Sequence, residues 1–205
     1  MKSYKNHLSR LKAGMLISGV TILLVACAAA PPVPEDNFYQ LPAPNVQASA
    51  KPLASSLSVK RFVSDGLHSE RALLFSKAGQ ALQLKQYHYH HWSDTPPRML
   101  QEYTISALRK AGVANTVSNY NPTNRAEYSL SGKIRHFEQI ERGSKNQVVV
   151  ELELKLNNKK GKLVLLKDYR ISQTAKNDSP HALIDAYGAA LNIIIGQFLG
   201  DWAKR

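Results

Sequence analysis

Apolar and polar positions repeat along this chain with two different periods, and the change of period marks out its elements. From Gln147 to Leu156, Val148, Val150, Leu152, Leu154 and Leu156 face one way, and Glu151, Glu153 and Lys155 the other. Period two with one apolar side is the signature of a strand that is buried on one face and wet on the other. Asn157-Asn158-Lys159-Lys160-Gly161 supplies a turn, and Lys162 to Ser172 a return strand. Glu127 to Glu138 has the same pattern, with Tyr128, Leu130 and Ile134 opposite Ser129, Ser131, Lys133 and Arg135. Leu57 to Phe62, Ala72 to Phe75 and Ala81 to Tyr89 read as further strands, the last two joined by a hairpin turn at Lys77-Ala78-Gly79-Gln80. Phe38 to Leu41 and Val113 to Ser118 are short strand candidates, and the region 113–174 reads as a meander.

Two segments switch to the helical period. Thr95-Pro96-Pro97 opens the first, because proline in a first turn lacks only a donor that would be unpaired anyway. Leu100, Tyr103, Ala107, Leu108 and Ala111 then share a face, and Gly112 stops the helix. Ser179-Pro180 opens the second, which runs to about Trp202 with a stripe of Leu183, Tyr187, Leu191, Ile194, Phe198 and Trp202. Gly188, Gly196 and Gly200 each cost that helix up to about 1 kcal/mol relative to alanine. Burial of the six large stripe residues, roughly 10 kcal/mol gross, outweighs them. The expected fold is α+β, a single domain with a largely antiparallel sheet and two main helices packed on one face.

The first 26 residues do not fit that domain. Lys2, Lys5, Arg10 and Lys12 precede an apolar run from Ala13 to Val25 that is too short to span a bilayer comfortably. This is the layout of a removable signal. It ends in Leu24-Val25-Ala26-Cys27, which resembles the bacterial lipobox. Small residues there admit a peptidase, and the thiol is the one nucleophile nearby that can take a diacylglyceryl group. Cys27 is also the sole cysteine, so disulfides and cysteine metal sites are excluded and an ordinary core must hold the fold. The expected organisation is a lipoprotein signal peptide over 1–26, lipidated Cys27 with a proline-bearing tether over 27–37, and the α+β domain over 38–205. Acyl chains on Cys27 would anchor the chain stably. Ala28, where an aspartate would retain such a protein at the inner membrane, implies an outer-membrane location with the body facing the periplasm.

Formal charge is +12, and four of those charges leave with the signal. The remaining excess suits anionic lipid head groups, and export argues against nucleic acid as a partner. The most unusual local feature is Tyr87-His88-Tyr89-His90-His91-Trp92. On a regular strand His88 and His90 share a face, but a metal site there would need a distant third ligand such as His136 or His181. An aromatic strand end packed beside the first helix is the plainer reading. Tyr87, Tyr89 and Trp92 are alternatively a partner or lipid surface, since aromatic side chains favour interfaces. Neither a Gly-x-Ser-x-Gly elbow nor a His-Glu-x-x-His helix occurs, so no catalytic, cofactor-binding or metal residue is assigned. Glu151 and Glu153 read as solvated strand surface. Lys159-Lys160-Gly161-Lys162 reads as a basic hairpin tip, solvated or in contact with anionic lipid.

The order of these features resembles the ABC-type transport auxiliary lipoproteins, the PqiC/YmbA family. The features are the lipobox, a proline tether, Phe38-Tyr39-Gln40-Leu41, a strand ending in Trp92, Asp94 to Leu100 leading into a helix, Tyr128-Ser129-Leu130, and a C-terminal helix ending at Trp202. The histidines before Trp92 depart from that pattern. The resemblance implies a non-enzymatic accessory or docking subunit of an envelope lipid-transport system, without a cofactor. Its partners would be an MCE-domain protein that bridges the periplasm and an associated transporter. A ring-like homo-oligomer would suit a tube end. The alternative is a lipoprotein that itself carries a lipid or apolar ligand between sheet and helices.

Overall fold

One strand is long enough to serve several partners, and the sheet is arranged around it. The computed structural model describes residues 34–205 apart from 81, 144 and 145; the signal segment, Cys27 and most of the expected tether therefore lie outside the described residues. The chain divides after Glu35, and the unit Asp36–Arg205 carries every element named below. In chain order these are β1 (Asn37–Tyr39), β2 (Ala54–Val59), β3 (Val63–Ser64), a short 3₁₀ turn (Gly66–Ser69), β4 (Ala72–Lys77) and β5 (Lys85–Trp92). Then follow α1 (Pro96–Lys110), β6 (Ala114–Asn119), β7 (Tyr128–Glu141), β8 (Gln147–Asn158), β9 (Leu163–Thr174) and α2 (Pro180–Trp202).

Strand β7, 14 residues long, is bonded along both edges. Its first residues pair with β2, its middle with β3 and its end with β4, all parallel, while β8 runs antiparallel along nearly its whole other edge. The sheet continues to β6 beyond β2, to β5 and β1 beyond β4, and to β9 beyond β8. The sheet is thus mixed, not largely antiparallel as the sequence pattern suggested. Only β4–β5, β7–β8 and β8–β9 are antiparallel. Short turns force antiparallel neighbours, whereas the long connections from β2 to β6 and from β2, β3 and β4 to β7 bring the chain back to run in the same direction. Side-chain alternation reports which face is buried and carries no record of strand direction. Strand β6 accordingly lies outside the β7–β8–β9 meander, paired with β2 at an edge.

Strand β2 ends at Val59 instead of continuing to Phe62. The chain turns at Lys60, whose amide donates to the Leu130 carbonyl, and the Phe62 ring folds over β7 at Gly132. A Cβ at that glycine would stand 2.4 Å from the ring. Strands β4 and β5 pair antiparallel as expected, but β4 extends to Lys77 and β5 begins at Lys85 instead of Ala81. The connection is therefore longer than a four-residue turn, with Gly79 in the left-handed region at φ +81°.

Both helices contribute to one core with the sheet. Helix α1 ends where Gly112 takes φ +62°. Ser179 caps α2 by accepting from the Ala182 amide. Helix α2 is long and apolar enough to cross a membrane by composition. Its apolar arc, however, is spent on the core: Tyr187, Leu191, Ile194, Ile195 and Phe198 are almost wholly buried. The Tyr103 hydroxyl donates to Asn192 Oδ1 at 2.8 Å and ties the two helices together.

The three α2 glycines divide by environment. A Cβ on Gly188 would meet Pro42 Cγ at 2.3 Å, whereas at Gly196 and Gly200 nothing lies within 4 Å. Gly188→Ala is expected to lose about 1–3 kcal/mol through overpacking that exceeds the propensity gain, and Gly196→Ala and Gly200→Ala to gain up to about 1 kcal/mol. Urea denaturation of the three variants measures this split in sign.

Candidate functional site

The aromatic and histidine side chains of β5 do not alternate as a regular strand would present them. Between Leu74↔Gln86 and Ala72↔His91 the register slips, so β5 carries extra residues and bulges. A bulge moves successive side chains off strict alternation. Tyr87 and His90 consequently meet edge to face, with ring centroids 5.6 Å apart, while His88 and Tyr89 are exposed. His88 and His90 therefore do not form the shared face that the sequence suggested. His90 Nδ1 is hydrogen-bonded to the Tyr39 hydroxyl at 2.7 Å, and His91 Nε2 lies 3.4 Å from Asp36. Among the described residues no group of three or more His, Cys, Asp or Glu side chains is arranged to hold a metal ion; neither His136 nor His181 completes one.

Of the three aromatic residues proposed as a contact surface, each has a different fate. Trp92 is 1% exposed and packs against Phe137 and Tyr187, both with centroids at 5.2 Å. It is a core residue and is not available to a partner; its amide donates to the Arg71 carbonyl. Tyr89 is 42% exposed. Tyr87 is half-buried beside Phe75, and its hydroxyl lies 3.1 Å from Gln139 Oε1 and 3.2 Å from Glu141 Oε1, its proton shared between them. Burial, then the neighbouring Glu141 charge, pushes this phenol up to about 12. A cleft of about 340 Å³ opens in front of it, with Leu73, His90, Asn146 and Leu183 on its walls.

A second cluster was not legible in the sequence. Glu138 is only 6% exposed and accepts from His68 Nε2 at 3.0 Å, from His136 Nδ1 at 2.5 Å and from the Phe137 amide at 2.6 Å. A bulge in β7 between Ile134 and His136 puts Phe137 on the core face and turns His136 and Glu138 to the opposite one, where His68 and His136 cover the carboxyl. Before it Leu130, Gly132 and Ile134 are buried; after it Phe137, Glu138 and Gln139 are. Burial alone would raise the Glu138 carboxyl, but hydrogen bonds from His68 and His136 outweigh it and hold the group below its ordinary 4.5. Glu151 and Glu153 stand on the neighbouring strand, paired with Arg170 and Arg135 respectively. They are strand-surface ion pairs.

A carboxyl held below its unfolded value stabilises the fold above that value and loses the contribution as pH falls through it. The wild-type protein is expected to lose this share of stability as pH drops below 4.5. Glu138→Gln should be about 1–3 kcal/mol less stable at neutral pH, with a shallower acid slope. Denaturation midpoints measured from neutral to acid pH check both statements.

Comparison with known proteins sets this geometry in context. The chain is 24% identical over 163 residues to protein bll6063 of Bradyrhizobium diazoefficiens, a match covering 79% of this chain and 43% of that protein. It thus spans less than half the length of the curated relative it matches. Among solved structures, protein XCC0632 of Xanthomonas campestris superposes with a TM-score of 0.68 at 19% identity, over 80% of this chain and 93% of that one. A second crystal structure gives a TM-score of 0.67 at 14% identity, over 82% and 99%. At such identities these neighbours establish the fold alone. The sequence model of the ABC-type transport auxiliary lipoprotein component matches residues 39–197, from the end of β1 into the last turns of α2. The chain belongs to the family of ABC-type transport auxiliary lipoprotein components.

Proposed function

We propose that this protein is an outer-membrane lipoprotein that serves as a non-enzymatic accessory and docking subunit of an ABC/MCE-type intermembrane lipid-transport system. The observation that carries the reading is the family match over residues 39–197, joined to a lipobox at Leu24-Val25-Ala26-Cys27. Cleavage before Cys27 and acylation of its thiol would set residues 38–205 beside a bilayer. Two or more acyl chains give anchoring that one cannot. Ala28 directs the product to the outer membrane, with the domain facing the periplasm. There it would meet an MCE-domain protein spanning from the inner membrane, where the transporter supplies energy. Tyr89, together with the half-buried Tyr87, remains part of the candidate contact surface.

A second reading, that the domain itself holds an apolar ligand, is favoured by one feature. A groove of about 460 Å³ runs beside the C-terminal half of α2, floored by Gly196 and Gly200 and walled by Val46, Leu53, Ile193 and Leu199.

Affinity purification of the full-length protein from envelope membranes should recover an MCE-domain protein, and Cys27→Ser should lose both palmitate labelling and that recovery. Isolation without any MCE-domain protein, from membranes that contain one, would count against the docking role. Native mass spectrometry revealing a lipid on the protein alone would favour the second reading.

A further inference from the structure

The sheet's outer face between β2, β7 and β8 carries a feature that neither the family match nor the docking role assigns. Registers align Ser58 of β2 with Ser129 of β7, and Ser129 with Asn157 of β8. One step along, Ser131 stands opposite Lys155. Their neighbours Leu57, Val59, Leu130 and Leu156 belong to the core, so these polar residues floor the opposite face. Ser58 is 2% exposed and sits at the base of the depression, with its hydroxyl donating to the Tyr128 carbonyl at a long 3.4 Å.

Four cations rim this floor: Lys60 just after β2, Arg125 in the loop before β7, Lys155 on β8 and Lys159 in the turn that follows. The groove encloses about 280 Å³, and among the described residues no carboxylate lines it. None of the four makes a salt bridge among the described residues; carboxylates pair with Lys133, Arg135, Lys167 and Arg170 instead. Lys60 has its ammonium 4.4 Å from the Tyr120 ring centroid, a contact that fixes its position without neutralising it. Four like charges drawn together without a counter-ion repel one another, and an anion inserted between them removes that cost. Hydroxyl and amide groups on the floor add donors suited to tetrahedral oxygens.

We infer that this groove binds a phosphate group, with Lys60, Arg125, Lys155 and Lys159 supplying charge, the Ser129 hydroxyl donating, and the Ser131 hydroxyl exchanging its long 3.5 Å bond to the Lys155 carbonyl for one to the phosphate. The inference stands on the groove alone and holds whether or not the docking role does. A phosphodiester lipid head group and free inorganic phosphate share the recognised chemistry.

Nuclear magnetic resonance titrations of the full-length protein distinguish the sources. The probes are inorganic phosphate, monomeric dihexanoyl phosphatidylglycerol, and dihexanoyl phosphatidylcholine as the neutral-headgroup comparison. Amide shifts should concentrate at Lys60, Ser129, Ser131 and Lys155 with at least one of the two anionic probes. Response to the glycerol diester identifies a lipid head group, and response to inorganic phosphate alone identifies a soluble phosphate; either supports the site. The double variant Lys60→Gln/Lys155→Gln should bind about tenfold more weakly or worse. Lys77→Gln/Lys176→Gln, which removes the same charge elsewhere, should bind as wild type. Equal weakening in the two double variants, or shifts scattered over the surface with no saturation, would overturn the inference.

Discussion

Everything in this domain depends on β7 being hydrogen-bonded along both edges at once. A strand of ordinary length would satisfy one neighbour on each side. β7 is long enough to pair with β2, β3 and β4 in succession on one side while β8 covers the other. Much of its backbone is thereby paired inside the protein, as burial requires. The three parallel partners follow one another along that edge in chain order, and the connection from β4 back to β7 passes through β5, α1 and β6, so that α1 joins α2 in the core. Gly132 is part of the same constraint, because only a residue without a side chain leaves room for the Phe62 ring where β2 gives way to β3.

The polar features follow from the same strand. In its first half β7 turns Ser129 and Ser131 outward, and with Ser58 and Lys155 they make the cationic groove. In its second half the bulge near Arg135 turns Glu138 away from the core face, where two histidines enclose it. Beyond that, Gln139 and Glu141 reach the Tyr87 hydroxyl. Strand β7 therefore connects the charge-bearing outer face, the buried carboxylate and the β5 aromatic cleft. A lipid-anchored transport auxiliary would present these features from a body held by its core and hydrogen bonds, with a single cysteine in the sequence.

Much of this was written in local patterns. The β8–β9 hairpin was legible because a clean alternation meets a turn of asparagines, lysines and Gly161, and a short turn permits only one direction. Helix α2 was legible from Ser179-Pro180 and its stripe. What was hidden depends on register. Alternation at Leu130 and Ile134 gives no warning of the bulge that re-aims Glu138 to the opposite face, and the slip in β5 separates His88 from His90. Trp92 was open to two readings in sequence, a packed strand end or a contact surface; its neighbours in space, Phe137 and Tyr187, make it a packed residue. The groove was invisible except for Lys159, because Lys60, Arg125 and Lys155 come from distant segments. The lipobox is a sequence feature throughout, since Cys27 lies outside the described residues.

Native-state hydrogen exchange tests the central role of β7 most directly. Amides from Leu130 to Gln139 should be among the slowest in the protein, exchanging only through global opening, while the edge strands β1 and β6 exchange through smaller fluctuations. Exchange of the β7 amides as fast as those of β6 would contradict the account, because a strand held on both edges cannot open before the strand it supports.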